Sequence, residues 1–255
     1  MTSRLVEKYP LVSVITVTLN AVNCIDKTIN SVINQSYPNI EYIILDGGST
    51  DGTLDIVKEY SKFITSWQSE PDNGLFDAMN KGLKLAAGEY VNFMNAGDIF
   101  YSSEAIASLH LEKISSPTSI CGINLYYSDY TSGLIKVLPS ESSFPHQALF
   151  MARKDFEKYN FNTNLKYCAD AELWTRFNAK NNQVIFIRKY ISISSFGGMS
   201  TSRNYLFERM KENLQFRPNK LQVLVRFIPK IFVYTLLGDR LFEMLYFYLK
   251  INKLL

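Results

Sequence analysis

The sequence predicts an α/β fold, a mainly parallel sheet flanked by helices and followed by a C-terminal helical extension. Three observations carry that expectation. Between residues 11 and 98, short apolar runs alternate with segments whose apolar residues recur at helical spacing. The spacing suits βαβ units, which demand parallel strands. Successive strand ends finish in polar or acidic residues, and ligands of parallel sheets bind beyond those ends.

Leu11–Leu19 reads as the first strand and follows Pro10. Val22–Gln35 reads as a helix through Ile25, Ile29, Val32 and Ile33, and Pro38 stops it. Ile40–Leu45 is the second strand, and Ser49, Thr50 and Asp51 offer cap oxygens to a helix over Thr53–Tyr60. A third strand is expected at Phe63–Trp67 and a helix at Gly74–Ala87, with Leu75, Met79, Leu83 and Ala86 on one face. Glu89–Met94 is the strand that runs toward Asp98. Past residue 115 the pattern loosens. Strands are expected at Ser119–Tyr127, Leu134–Leu138, Val184–Ile187 and Ser192–Phe196, and helices at Arg153–Lys158 and Ala169–Ala179. From Tyr205 the pattern is helical to the end.

Composition narrows the function classes. Seventeen Phe and 16 Tyr argue for a packed core, and a net charge of +3 is too mild to imply nucleic acid. Cys24, Cys121 and Cys168 are odd in number and scattered, so reduced thiols are expected, with neither disulfide nor zinc. Leu11–Leu19 is too short for a secretory signal. No uncharged run reaches the roughly 20 residues of a membrane span, since Arg226, Pro229 and Lys230 interrupt Leu221–Leu237.

Two strand ends share one layout. Asp46-Gly-Gly-Ser-Thr-Asp-Gly52 follows the second strand, and Asn95-Ala-Gly-Asp98 follows the strand at Glu89–Met94. Thr18-Leu-Asn20 closes the first strand with hydrogen-bonding groups as well. There is no G-x-G-x-x-G and no P-loop lysine, so neither dinucleotide nor P-loop chemistry is indicated. Each glycine-rich end alone is an ordinary helix-capping turn. Three in succession point to a ligand carrying a base, a ribose or phosphates.

Pro10–Asn20, Ser31–Glu41, the DGGSTDGT run, Ser69–Gly82 and Phe93–Asp98 resemble, in this order, the family-2 glycosyltransferases of bacterial O-antigen, capsule and related polysaccharide synthesis. The resemblance covers roughly residues 10–200. It implies the Rossmann-like GT-A fold in a catalytic domain over residues 1–204, with a nucleotide-binding half at 10–115 and an acceptor-binding half at 116–204. Residues 205–255 would be the appended helical segment. It also implies inverting transfer of a hexosyl residue from a UDP-sugar to a hydroxyl of a polyprenyl-diphosphate-linked saccharide, at the cytoplasmic face of the inner membrane.

Carried over by position, the resemblance assigns donor binding to Thr18, Asn20 and Asp46, with Asp46 near the base. Asp72, Asn80 and Lys81 are expected to close over the donor. Asn95, Ala96, Gly97 and Asp98 occupy the place of the acidic metal motif, with Asp98 as the ligand of Mn²⁺ or Mg²⁺. Many relatives have Asp where Asn95 and Gly97 stand, so the ion is expected to rely on pyrophosphate oxygens and water. Asp170, in Tyr167-Cys-Ala-Asp-Ala-Glu-Leu-Trp174, is the expected catalytic base. Glu172 is its rival, and the two should point in different directions on a helix. His146 and Gln147 match an acceptor-side pair, and Phe196-Gly-Gly-Met-Ser200 with Arg203 resembles a segment near the donor phosphates.

Between Arg217 and Lys253 seven Lys and Arg face only Asp239 and Glu243, amid apolar residues from Leu221 to Leu249. Such a helix suits a membrane interface. It suits equally a helix pair packed on the catalytic domain or at a homo-oligomer contact. Two other functions stay open: a non-catalytic nucleotide-sugar or glycan-binding protein, given the thinned acidic motif, and sugar transfer to polyprenyl phosphate.

Overall fold

The computed structural model describes residues 9–116, 118–128, 133–137, 144–180, 183–195 and 203–251. β1 (Val12–Thr18), β2 (Ile40–Asp46), β3 (Ser66–Ser69) and β4 (Tyr90–Phe93) form a parallel block in the order β3-β2-β1-β4. They are connected through α1 (Ile25–Ile33), α2 (Thr53–Glu59) and α3 (Leu75–Leu85). β1 is buried along its whole length. Its alternating side chains feed two cores, as the pleat of a strand requires. Val12 and Val14 join Ile25, Ile29 and Val32 of α1, while Ile15 and Val17 join Phe76 and Met79 of α3. Truncating a residue so placed, such as Ile15→Ala, costs about 2–5 kcal/mol.

The second half is built differently. β8 (Leu149–Ala152) lies antiparallel to β4, and the sheet continues through β6 (Ser119–Ser128), β9 (Val184–Ser195) and β5 (Ile99–Phe100), with β7 (Gly133–Val137) on β6. α4 (Arg153–Phe156) follows β8, and α5 (Ala169–Asn178) covers the face of α3 through Leu173, Trp174 and Phe177. The sheet is mainly parallel, as expected: its first four strands and the β6–β9 pair run parallel, and antiparallel pairings join the rest.

Most boundaries agree with the sequence pattern within two residues. The third strand does not: Ser61–Phe63 forms a 3₁₀ turn and the strand begins at Ser66. β3 is a largely exposed edge, so its apolar content was a poor guide. The two strands expected at Val184–Ile187 and Ser192–Phe196 are one continuous β9. Arg188, Lys189 and Tyr190 are exposed, and the ladder with β6 bulges between the Cys121–Phe186 and Ile123–Tyr190 pairs before pairing resumes, so the apolar pattern is interrupted within one strand. Leu138 and Phe196–Ser200 lie outside the described residues, as does the side chain of Arg203.

The C-terminal region comprises α6 (Leu206–Phe216) and α7 (Lys220–Ile251), separated at Pro218. Leu206, Val223 and Phe227 form a small core between them. Among the described residues no helix is long and apolar enough to cross a membrane.

Candidate active site

The turn after β4 remains docked on β1, because Met94 N–H donates to Ile15 O (2.9 Å) and Ala96 N–H to Val17 O (3.1 Å). Gly97 takes φ +96°, a left-handed conformation that glycine adopts without strain. Thr28 of α1 clamps the turn from outside. Its Oγ1 accepts from Gly97 N–H (3.0 Å) and donates to Asp98 O (2.9 Å). Asp98 is thereby delivered to the mouth of the sheet, its Oδ2 accepting from Gln147 Nε2 at 3.0 Å. Burial pushes its carboxyl above the usual range, against the pull of His146 and of hydrogen bonds from Gln147 and Ser194.

Gln147 sits in a 3₁₀ turn, His146–Ala148, that leads into β8. Asn92, fully buried on β4, ties this turn down by donating to Gln147 O (3.1 Å) and Leu149 O (2.9 Å). His146 consequently stands between two walls. Its Nε2 lies 3.2 Å from Asn95 Nδ2, and its Nδ1 lies 3.8 Å from Asp170 Oδ2. The amide donates, so Nε2 accepts and the proton of a neutral ring falls on Nδ1, facing Asp170. With its amide nitrogen on His146, Asn95 keeps Oδ1 free: that buried oxygen has no hydrogen-bond partner.

Asp170 occupies the first turn of α5, with Oδ1 accepting from Ala171 N–H at 2.7 Å. Glu172 turns the other way and is buried in a two-point pairing with Arg176, Nε to Oε1 at 2.6 Å and Nη2 to Oε2 at 2.9 Å. The two acids part as helical geometry requires. Asp170 lines the cleft and Glu172 braces the helix.

That cleft, about 280 Å³, brings together Thr18, Asn95, Ala96, Gly97, Asp98, His146, Gln147 and Asp170. The hydroxyl of Thr18 is a second buried polar atom without a partner. The other expected donor residues lie to one side. Asp46 is engaged by its own turn: its carboxylate accepts from Gly48 N–H (3.0 Å), Ser49 N–H (2.9 Å), the Ser49 hydroxyl and Ser69 Oγ (2.7 Å). Asn20 closes against the same loop, accepting from Thr50 N–H at 2.9 Å. Asp72 leans over Gly47 so closely that a Cβ there would lie 2.6 Å from its Oδ2. Asn80 makes paired bonds to the Phe161 backbone (2.9 and 3.0 Å), and Lys81 pairs with Glu70 at 2.8 Å.

Among the described residues no three His, Cys, Asp or Glu side chains converge as a metal cage. The oxygens present still fit a hard divalent ion. The Asp98 carboxylate and the orphaned Asn95 Oδ1 would hold Mg²⁺ or Mn²⁺, with diphosphate oxygens and water completing the shell.

Several contributors escaped the sequence pattern. Thr28 is a hydroxyl on the buried face of an otherwise apolar helix. Ser192 and Ser194 are buried on β9 against Asn124 Oδ1, at 2.7 and 3.2 Å. Polar residues at alternate, inward positions of a strand are the signal that could have revealed them. Lys166, Tyr167 and Tyr126 also line the cleft, and residue type alone marks none of them.

An uncharacterised glycosyltransferase of Haemophilus influenzae is 26% identical over 88% of this chain and 80% of its own. One from Mycobacterium tuberculosis is 33% identical over 55% of this chain, and the match spans 58% of that relative. The putative teichuronic acid biosynthesis glycosyltransferase TuaG of Bacillus subtilis is 46% identical over 35% of this chain and 36% of its own. Among solved structures, Staphylococcus aureus TarS 1–349 in complex with UDP superposes with a TM-score of 0.61 at 18% identity, covering 90% of this chain and 75% of that one. The mannosyltransferase PcManGT of Pyrobaculum calidifontis, in complex with GDP-Man and Mn²⁺, gives 0.63 at 17%, over 86% and 65%. The fold is that of the GT-A glycosyltransferases. The model of Glycosyl transferase family 2 matches residues 13–178, more than half of the sequence, and the chain belongs to that family.

Proposed function

We propose that this chain transfers a hexosyl residue, with inversion, from a UDP-sugar to a hydroxyl of a lipid-diphosphate-linked saccharide in bacterial surface polysaccharide synthesis. One observation carries the reading: Asp98, from the turn after β4, and Asp170, from the first turn of α5, enter one cleft with His146 between them. The donor diphosphate would lie against the Asn95–Asp98 turn, where the unpartnered Thr18 hydroxyl could donate to a phosphate oxygen and Asn95 Oδ1 is left for a cation. Asp170 takes the proton of the acceptor hydroxyl as its oxygen bonds to the anomeric carbon. The bond from that carbon to the diphosphate oxygen breaks, and UDP leaves with the electron pair. A divalent cation, when bound, neutralises charge on the departing diphosphate. The Asp46 turn, its N–H groups already paired with Thr18, Asp46 and Asn20, would border the uridine side of the donor as a shaped wall.

An exposed stripe on α7, Leu221, Val225, Ile228, Phe232 and Leu236, supports contact with the inner leaflet, where a lipid-linked acceptor would lie. Lys220 and Arg226 on the same helix suit anionic headgroups. Full-length protein should sediment with anionic vesicles, and Val225→Glu with Phe232→Glu should release it. Concentration-dependent dimerisation lost in the same variant, without vesicle binding, would assign the stripe to a second copy.

The decisive experiment is a screen of nucleotide sugars with a synthetic diphospho-lipid saccharide, reading released UDP with and without Mn²⁺ or Mg²⁺. Transfer to the saccharide supports the reading. Transfer to polyprenyl phosphate alone would redirect it, and binding without turnover would leave a nucleotide-sugar-binding protein.

A further inference from the structure

The turn that carries Asp170 into the cleft is held from outside its own helix. α5 has Cys168 at its N-cap, and no side chain caps it locally. Glu212 of α6, only 9% exposed, reaches across and accepts from three consecutive backbone N–H groups. Lys166 N–H donates to Oε1 at 2.8 Å, and Tyr167 and Cys168 N–H donate to Oε2 at 3.0 and 2.9 Å. The neighbouring contacts reinforce this grip. Asn213 Nδ2 lies 3.2 Å from Cys168 Sγ, and the Tyr205 ring stacks on Tyr167 at 4.7 Å.

Three donors on one carboxylate form a charge-assisted set, stronger than neutral bonds. The residues they hold are Lys166 and Tyr167, both cleft-lining, and Cys168, two positions before Asp170. We propose that Glu212 is a positioning residue for sugar transfer, fixing the Lys166–Cys168 wall and the first turn of α5 so that Asp170 meets the acceptor hydroxyl. The proposal rests on the reading of Asp170 as the base. It makes α6 part of the machinery of transfer, with α7 attached behind it.

The geometry also separates two substitutions. Glu212→Ala removes all three bonds. Glu212→Gln keeps one carbonyl oxygen, able to serve the Tyr167 and Cys168 pair, and loses the Lys166 bond. In the full-length enzyme, Glu212→Ala should lower kcat about 10²-fold, the scale of a misplacement near 1 Å, while donor KM and UDP affinity stay within about twofold. Glu212→Gln should recover about tenfold of that loss.

A kcat for Glu212→Ala within about threefold of wild type would overturn the proposal, as would loss of UDP affinity in parallel with kcat. Equal defects in the Ala and Gln variants would overturn it too. Should Glu212→Ala fail to fold, Glu212→Gln decides by the same kcat-against-KM split. The underlying reading has its own control. If wild type transfers no sugar, that reading falls and this one with it. If wild type transfers, Asp170→Asn abolishes turnover and Glu212→Ala matches wild type, only the Glu212 assignment falls.

Discussion

Asp46 ends β2 and Asp98 closes the turn after β4, on either side of β1 and each beside glycine, and the structure treats them in opposite ways. Four donors from its own loop and β3 converge on the Asp46 carboxylate. Asp98 receives side-chain hydrogen bonds from Gln147 and Ser194, and burial raises its pKa. One carboxylate is spent on shaping a turn, whereas the other is held at a desolvation cost with an orphaned amide oxygen nearby. A desolvated carboxylate beside an orphaned acceptor at a cleft is a candidate ligand site. Saturation of the acceptor, rather than the presence of the acid, separates scaffold from site.

Substitutions can break or sharpen that contrast. The largest effect is expected at Asp170, on the opposite wall: Asp170→Asn should lower kcat by about 10²–10⁴-fold while calorimetric UDP binding is retained. Near-normal turnover would remove the base from the scheme. Next, Asp98→Asn should weaken metal-dependent UDP binding by about tenfold or more. Its thermal stability at pH 7 should equal or exceed that of wild type, because a buried charge is relieved. The sign follows from the raised pKa. Asp98 binds its proton more tightly folded than unfolded, so its favourable contribution is present below the ordinary carboxylate range and lost as pH rises through the folded value. The advantage of Asp98→Asn should therefore vanish in acid.

Asp46→Ala should do the reverse, costing about 1.5–3 kcal/mol in urea unfolding as the bonded turn loses its acceptor. Equal stability effects at both aspartates would erase the distinction. The smallest effect concerns the thiols. Burial pushes Cys168 up to about 12 and raises Cys121 and Cys24 as well. Alkylation of the native protein at pH 8 should be slower than that of a small free thiol, with half-exposed Cys24 reacting first. Rapid labelling of Cys168 would show that the turn before α5 opens.

The parallel block was legible because β1, β2 and β4 are buried and the helices between them carry one apolar face each. The mixed half was less so: β5 has two residues and β8 four, too short for periodicity, and β9 hides its continuity behind exposed charges. Of the expected site residues, those around Asp98, His146 and Asp170 share a cleft, since each ends or begins an element at the same edge. Asn80 and Lys81 came from the resemblance by position, and here their side chains engage the Phe161 backbone and Glu70. Glu212 was invisible to sequence because its partners are backbone amides about 45 residues away, which leave no side-chain signature.

The seam between β4 and β8 has a mechanical corollary. Tyr90 with Ala152 and Val91 with Met151 are paired across it, after which the amide of Asn92 bridges to the carbonyls of Gln147 and Leu149. The ladder is thus replaced by a side-chain stitch where the two strands begin to diverge, so a notch can open in a continuous sheet without stranding its carbonyls. An aliphatic residue at position 92 would leave those carbonyls bare and the notch unsupported.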